Sequence, residues 1–438
     1  MSASTGRAPA VANALNSGGG HYVRFRSLLI ESWRQFDRVS IEFDQRVTII
    51  TGANGAGKST LLRILSQHFG WPHSLLGTPK IQKDGALGYS YLRSYQTKRA
   101  DPVMLFGLSD RIGELTYSTG SVTPVLIPQS GGVIYNVAFP YQQTVDGLFI
   151  GSHRPVQGYQ VVSSIPTTSL GAQQAYQQYY QESLNRFNNG YTQYSPTYRM
   201  KEAIISMATF GPGNRNVTGN PETDRVYSDF EKVLRLVLPE SLGFQRLTVR
   251  IPDVVLETTS GEFVLDSASG GIMSLVDLAW QVFLYSQGKQ EYTVILDEPE
   301  NHLHPSMQRS IIQSLVSAFP EAQFVVATHS PFVVSSVKSA KVYVLQYGTQ
   351  VGSGERTVSS VHLDHFNRSG TASDILRDAL GVPVTMPMWA EDELRRITSD
   401  LSVESLTDQG IAALRLRLQE AGLDEFYPEA LSQIARQI

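Results

Sequence analysis

Gly52-Ala-Asn-Gly-Ala-Gly-Lys-Ser59 follows the β-branched run Val47 to Ile50 and opens an apolar helical stretch, Leu61 to Leu65. Strand, glycine loop and helix in that order make a phosphate-binding loop. Its glycines let the backbone N–H groups of Gly52, Ala53, Asn54, Gly55, Ala56 and Gly57 turn toward phosphate oxygens. Lys58 adds a point charge at the β/γ oxygens, and Ser59, with Thr60 behind it, sets a hydroxyl for Mg²⁺ at the positive end of the helix. The chain is therefore expected to bind ATP or GTP.

A second run lies far downstream, Tyr292-Thr-Val-Ile-Leu-Asp-Glu-Pro-Glu-Asn-His-Leu-His-Pro305. It reads as a buried strand ending in two carboxylates. Asp297 is placed to hold the Mg²⁺ shell and Glu298 to orient and deprotonate an attacking water, the division of labour that phosphoryl transfer requires. Another apolar strand, Phe324 to Ala327, ends in Thr328-His329-Ser330, where His329 is a candidate for reaching the γ-phosphate. Its plainer reading is a turn residue that caps the next helix.

Between these motifs stands Ser267-Ala-Ser-Gly-Gly-Ile-Met-Ser-Leu275, ahead of a helical stretch from Leu275 to Tyr285. It resembles the signature motif of the ABC ATPase superfamily, with Ser269, Gly270 and Gly271 at its centre. The resemblance implies that this segment closes over the γ-phosphate held by an opposite subunit. Within the superfamily the chain is similar to the RecF/SMC-like and OLD-like ATPases, the group often called AAA_15 or AAA_21. Leu28-Leu-Ile-Glu-Ser-Trp-Arg-Gln-Phe36 with Val39-Ser-Ile-Glu-Phe43 carries one half of that likeness, and Asp297-Glu-Pro-Glu-Asn-His-Leu-His-Pro305 the other. By position Arg34 matches the family's early arginine near the nucleotide, and ATP is preferred over GTP by resemblance alone.

The expected architecture is an α/β ABC-type P-loop head, residues 21–85 and 245–348, with an inserted lobe over 86–244 and a helical C-terminal region over 360–438. Residues 1–20 read as a disordered leader. In the lobe, Leu87 to Val137 alternates and is broken at Ser118-Thr-Gly120, a pattern of β-hairpins rather than heptads, and its first part is a candidate to join the head sheet. Gly147-Leu-Phe-Ile-Gly-Ser-His-Arg-Pro155 is taken as the Q-loop region. No glutamine sits there, which leaves Ser152, His153 and Arg154 as candidates for sensing metal or γ-phosphate. The Gln- and Tyr-rich stretch 172–189 offers rings for stacking on bases but reads better as a packed helix. Lys201 to Phe210 and Asp229 to Leu238 have helical spacing, and Arg246 to Val255 alternates and is expected to return the chain to the head sheet.

After His329 the pattern turns helical over Ser373 to Leu380, Glu391 to Leu401, Ile411 to Ala421 and Glu429 to Ile438. OLD-family nucleases carry a Toprim domain here; this tail lacks its early glutamate and later Asp-x-Asp. Arg395, Arg396, Arg415 and Arg417 alternate with carboxylates and leucines, as a solvated helix face does. His302 and His304 have no third ligand in sight for zinc.

Composition sets the remaining bounds. With 438 residues the chain exceeds one ordinary core, and with no cysteine it has no disulfide or thiol chemistry. A net charge of −4 argues against coating nucleic acid by bulk attraction, while a local basic groove stays open. No apolar run is long enough for a bilayer and no signal peptide is evident, so a cytoplasmic protein without membrane contact is expected. The resemblance implies a homodimer or higher assembly through ATP-sandwiched heads, working with a separate effector such as a nuclease, in the manner of the Septu and retron-associated anti-phage ATPases. A RecF-like repair ATPase acting on DNA, and a scaffold stabilised by nucleotide with little turnover, are the alternatives.

Overall fold

In the computed structural model the chain is described over residues 22–71, 73–81, 85, 87–91, 109–129, 132–152, 158–167, 169–349, 356–363, 387–399, 401 and 407–435. The leader and the stretch Ser373 to Leu380 lie outside these residues, as do His153 and Arg154. The chain divides into two compact units, Met1–Arg368 and Ser369–Ile438.

The first unit begins with a hairpin whose strands each bury one face, β1 (Phe25–Trp33) and β2 (Phe36–Glu42). Strand β3 (Val47–Gly52) is buried at every position, as a strand covered on both faces must be, and leads through the glycine loop into α1 (Lys58–Ser66). Two short ribbons follow, β4 (Leu75–Leu76) paired with β9 (Ile134–Tyr135), and β5 (Thr78–Ile81) with β6 (Leu87–Ser90). Between them the hairpin β7 (Ser109–Tyr117) and β8 (Val122–Pro128) turns at Ser118-Thr-Gly120, where Gly120 takes the positive φ of 85° that the turn requires. Strand β10 (Gly147–Ile150) ends this half.

Helices α2 (Ala172–Phe187), α3 (Pro196–Phe210) and α4 (Pro221–Val237) come next, the last two each opened by a side-chain cap and a proline. Strands β11 (Phe244–Arg250), β12 (Asp253–Thr258) and β13 (Gly261–Val264) form a separate meander. Helix α5 (Gly270–Ser286) then precedes β14 (Tyr292–Asp297), α6 (Pro305–Gln308), α7 (Ile311–Ala318), β15 (Ala322–Ala327), α8 (Pro331–Val334), β16 (Lys341–Thr349) and β17 (Arg356–Leu363).

Ten strands make one sheet in the order β10-β14-β15-β3-β16-β17-β2-β1-β7-β8. From β10 to β16 all neighbours run parallel, so Ile150, Asp297, Ala327 and Gly52 emerge at the same edge. Ligands of open α/β sheets bind outside these carboxyl ends. The large core beneath is aromatic and aliphatic, with Trp33, Phe36, Leu61, Leu65 and Ile295 all buried.

The α/β class stands, with three differences of detail. Arg246 to Val255 pairs with its own meander instead of returning to the head sheet, because alternation marks a half-buried strand without naming its partner. Strand β10, placed in the inserted lobe by sequence, is a strand of the main sheet, as is the β7–β8 hairpin, a candidate to join it. The head also runs past residue 348, since β17 pairs with β16 and β2 and reaches into the stretch read as helical from 360.

The tyrosines of α2 pack: Tyr179 is buried and Tyr176 meets Tyr285 of α5 edge-on at 5.2 Å. In the second unit, helices Met388–Thr398, Asp408–Glu420 and Tyr427–Ala435 share a small core of Leu394, Leu414, Leu418 and Ile434. Arg395 and Arg396 pair with Glu391 and Glu393 on the exposed side, the solvated face expected of them.

Candidate functional site

The phosphate loop is shaped by what surrounds it. Gly52 has φ of 141°, and a Cβ there would lie 2.5 Å from the Leu345 carbonyl oxygen; Gly57, at φ of 99°, would collide with the Phe36 ring. Only glycine fits either place. The Lys58 ammonium curls into the loop, donating to the Gly52 carbonyl at 2.8 Å and to the Ala53 carbonyl at 3.3 Å. Burial lowers its pKa, against the opposing pull of Glu298, Asp297 and Glu300. A buried ammonium facing three carboxylates is poised for an anion that offers stronger partners.

The Ser59 hydroxyl donates to Asp297 Oδ1 at 3.0 Å, joining residues 238 positions apart. Burial pushes the Asp297 carboxyl up to about 6, with the Ser59 bond pulling the other way and Glu298 adding to the rise. A hydroxyl and a buried carboxylate in hydrogen-bond contact are the hard-oxygen set that suits Mg²⁺, and they sit where the loop meets the strand end.

Glu298 takes a left-handed backbone, φ of 49°, stabilised by its N–H to the Ala327 carbonyl at 2.8 Å. Its Oε1 lies 3.2 Å from His329 Nδ1, and its Oε2 accepts from Asn301 Nδ2 at 3.1 Å. Asn301 Nδ2 also reaches the Ser152 carbonyl at 3.2 Å, which ties the β10 end to the acidic pair. Glu300, buried and with its pKa raised by burial, accepts from the Thr328 hydroxyl and from the His329 N–H. Glu298, Glu300 and Asn301 thus hold the His329 segment and the β10 end in one network. The helix-cap reading of His329 does not hold, because Ser330 is the cap residue of α8.

Ser269 caps α5, its Oγ accepting from the Ile272 N–H at 3.4 Å, and Gly270 and Gly271 form the first turn. A Cβ on Gly271 would sit 3.0 Å from the His302 carbonyl, so the segment lies against the loop after the acidic strand. Lys201 is fully buried and bridges Asp266, just ahead of this turn in the chain, at 2.7 Å and the Gln160 carbonyl at 2.6 Å.

Arg34 is held between the β4 ribbon and the end of β1. Its guanidinium donates to the Leu76 carbonyl at 2.8 Å and stacks over Trp33, while its neighbour Gln35 reaches the loop through the Gly55 carbonyl at 3.3 Å. Gln35, Glu300 and Asn301 received no role from sequence. The last two stand inside the quoted acidic run, whose unusual density of polar groups after a buried strand was the available signal. His304 caps α6 through Nδ1.

Both halves of the site lie in stretches that match known families. The AAA_21 family, described as AAA domain, putative AbiEii toxin, Type IV TA system, matches residues 176–335, and the AAA domain family AAA_23 matches residues 27–83. The Retron Vc95 probable ATPase of Vibrio cholerae serotype O1 biovar El Tor is 42% identical over 52 residues, 12% of this chain and 10% of that protein. Septu protein PtuA of Bacillus thuringiensis is 24% identical over 167 residues, 35% of this chain and 42% of its own. The Retron Ec83 probable ATPase of Escherichia coli is 22% identical over 396 residues, 75% of this chain and 72% of its own. The chain thus spans under half the length of the first two relatives. Among solved structures, the SMC head domain from Thermotoga maritima superposes with a TM-score of 0.40 at 15% identity, over 78% of this chain and 99% of that one.

Proposed function

We propose that this ATPase, related to retron ATPases and Septu PtuA, is an ATP-hydrolysing ABC-type switch that closes as a homodimer around ATP and controls a separate effector in anti-phage defence. The observation that carries the reading is the convergence of Lys58, Ser59, Asp297, Glu298 and His329 at one sheet edge, with Ser59 bonded to Asp297 and Glu298 to His329. Backbone N–H groups of Gly52 to Thr60 cradle the phosphates, and Lys58 leaves its loop carbonyls for the β/γ oxygens. Ser59 and Asp297 would hold Mg²⁺, which when bound neutralises developing phosphate charge.

Glu298 accepts the proton of the attacking water through a carboxylate already oriented by Asn301 and His329. His329, with nearly half its side chain exposed, would donate its Nε2–H to the γ-phosphate when the ring carries both protons, since Nδ1 is engaged by Glu298. Ser269 to Gly271 would complete the site of the opposite protomer, a helix N-terminus offered to an anion. Closure on ATP and release after hydrolysis form a two-state output that an effector such as a nuclease reads. Among the described residues no helix is long and apolar enough to cross a membrane.

The test is Glu298→Gln, which keeps size and one accepting oxygen but cannot take a proton. Its steady-state hydrolysis is expected to fall by about 10²- to 10⁴-fold, and size-exclusion with light scattering should show it trapped as an ATP-bound dimer. Hydrolysis equal to the parent would remove Glu298 as base; a monomer at saturating ATP would remove the clamp.

A further inference from the structure

A cavity of about 510 Å³ lies between the end of β10, helix α2 and the start of α5. That volume suits a small organic ligand. One side is a box of rings: Trp71 meets Phe187 at 5.1 Å and Phe149 at 5.4 Å, and His73 meets the same two at 4.9 Å and 5.2 Å, all edge to face. His73 is 6% exposed, and its Nε2 is buried without a hydrogen-bond partner among the described residues. A buried polar atom left unpaired costs about 1–3 kcal/mol, which a ligand atom would recover.

The lining's charge points to the kind of ligand. Asp266 is already matched by Lys201 at 2.7 Å, Asp277 accepts from the Tyr179 hydroxyl and from Gln281 at 3.0 Å, and Asp297 accepts from Ser59. Arg186 donates to Thr192 at 2.9 Å and to the Tyr194 carbonyl. The three carboxylates are set against Arg63 and Arg186, which also line the cavity, and against the Lys201 that pairs Asp266, so neither an anion nor a cation meets an unopposed field there. His73 itself stays neutral at pH 7, since burial first and the Arg63 charge second bring it down to about 4.

We propose that this cavity binds an uncharged, planar heteroaromatic molecule of nucleobase type, which packs among Trp71, Phe149 and Phe187 and hydrogen-bonds His73 Nε2. The occupant would touch Gly270 at the signature turn and Ser152 at the β10 end, so binding there is coupled to the proposed clamp. Only that coupling rests on the ATPase reading; the binding itself does not.

The full chain, without ATP, is titrated calorimetrically with adenine, hypoxanthine, cytosine and uracil. At least one base is expected to bind more tightly than about 1 mM. Lys58→Ala, which disables the phosphate loop, should leave that affinity unchanged, and His73→Phe should weaken it by about tenfold or more. Thr197→Phe, which fills the cavity from the first turn of α3, should do the same and decides the matter if His73→Phe fails to fold. The proposal is overturned if no base binds the parent chain, if the affinity disappears in Lys58→Ala, or if the folded cavity variants bind as the parent does. ATP hydrolysis is read separately, so loss of one reading leaves the other standing.

Discussion

At the residue scale the site works by linking groups that are distant in sequence. Asn301 is the clearest case, with one amide serving both Glu298 Oε2 and the Ser152 carbonyl. Asn301→Leu should lower kcat by about tenfold with ATP affinity unchanged, because the base loses orientation rather than the substrate losing contacts. A change in affinity with kcat intact, in single-turnover and binding assays, would reverse that assignment. Lys58→Ala has the opposite signature, with loss of nucleotide binding itself by equilibrium titration. That Lys58, Asp297 and Glu298 meet at one sheet edge was legible because each stands in a contiguous run that ends a buried strand or opens a helix. Gln35 and Asn301 were not, since their partners Gly55 and Ser152 lie 20 and 149 positions away.

At the element scale, the glycine loop and the signature turn are each constrained by a neighbour. Gly52→Ala combines a left-handed φ with a Cβ 2.5 Å from the Leu345 carbonyl, and should destabilise the fold by about 1–3 kcal/mol in denaturant titration. Ser269 has two roles that substitution can separate. Ser269→Asp keeps a good helix cap and so leaves stability within a few tenths of a kcal/mol of the parent. It also sets a carboxylate where the opposite protomer's γ-phosphate is proposed, so the ATP-dependent dimer of the Glu298→Gln background should disappear on size-exclusion. A dimer that persists would restrict Ser269 to capping.

At the scale of the whole molecule, buried histidines tie stability to pH. The carbonyl of Leu65 makes His68 Nδ1 the donor, so Nε2 accepts from the Tyr117 hydroxyl at 2.8 Å, and that second bond needs the neutral ring, whereas the Leu65 bond favours the charged one. Burial lowers His68 to about 4, below the 6.5 of an unfolded chain. Between those values the unfolded chain binds more protons, so stability is full above pH 6.5 and is lost as pH falls toward 4, by on the order of 1–3 kcal/mol for His68. His73 adds in the same sense, and Asp297, pushed up to about 6, opposes them. His68→Gln should flatten that slope in urea titrations from pH 4 to 7; an unchanged slope would place the linkage elsewhere. By itself the sequence determined the nucleotide chemistry and the α/β class, because a phosphate loop and a buried acidic strand are local patterns fixed by their own backbone. Only the tertiary structure decided strand order, the detachment of the 244–264 meander, the extension of the head to β17 and the Glu298–Asn301–Ser152 network. Alternating apolar residues encode a buried face, whereas the partner across a strand edge is selected by backbone hydrogen bonding and packing, to which distant segments contribute equally.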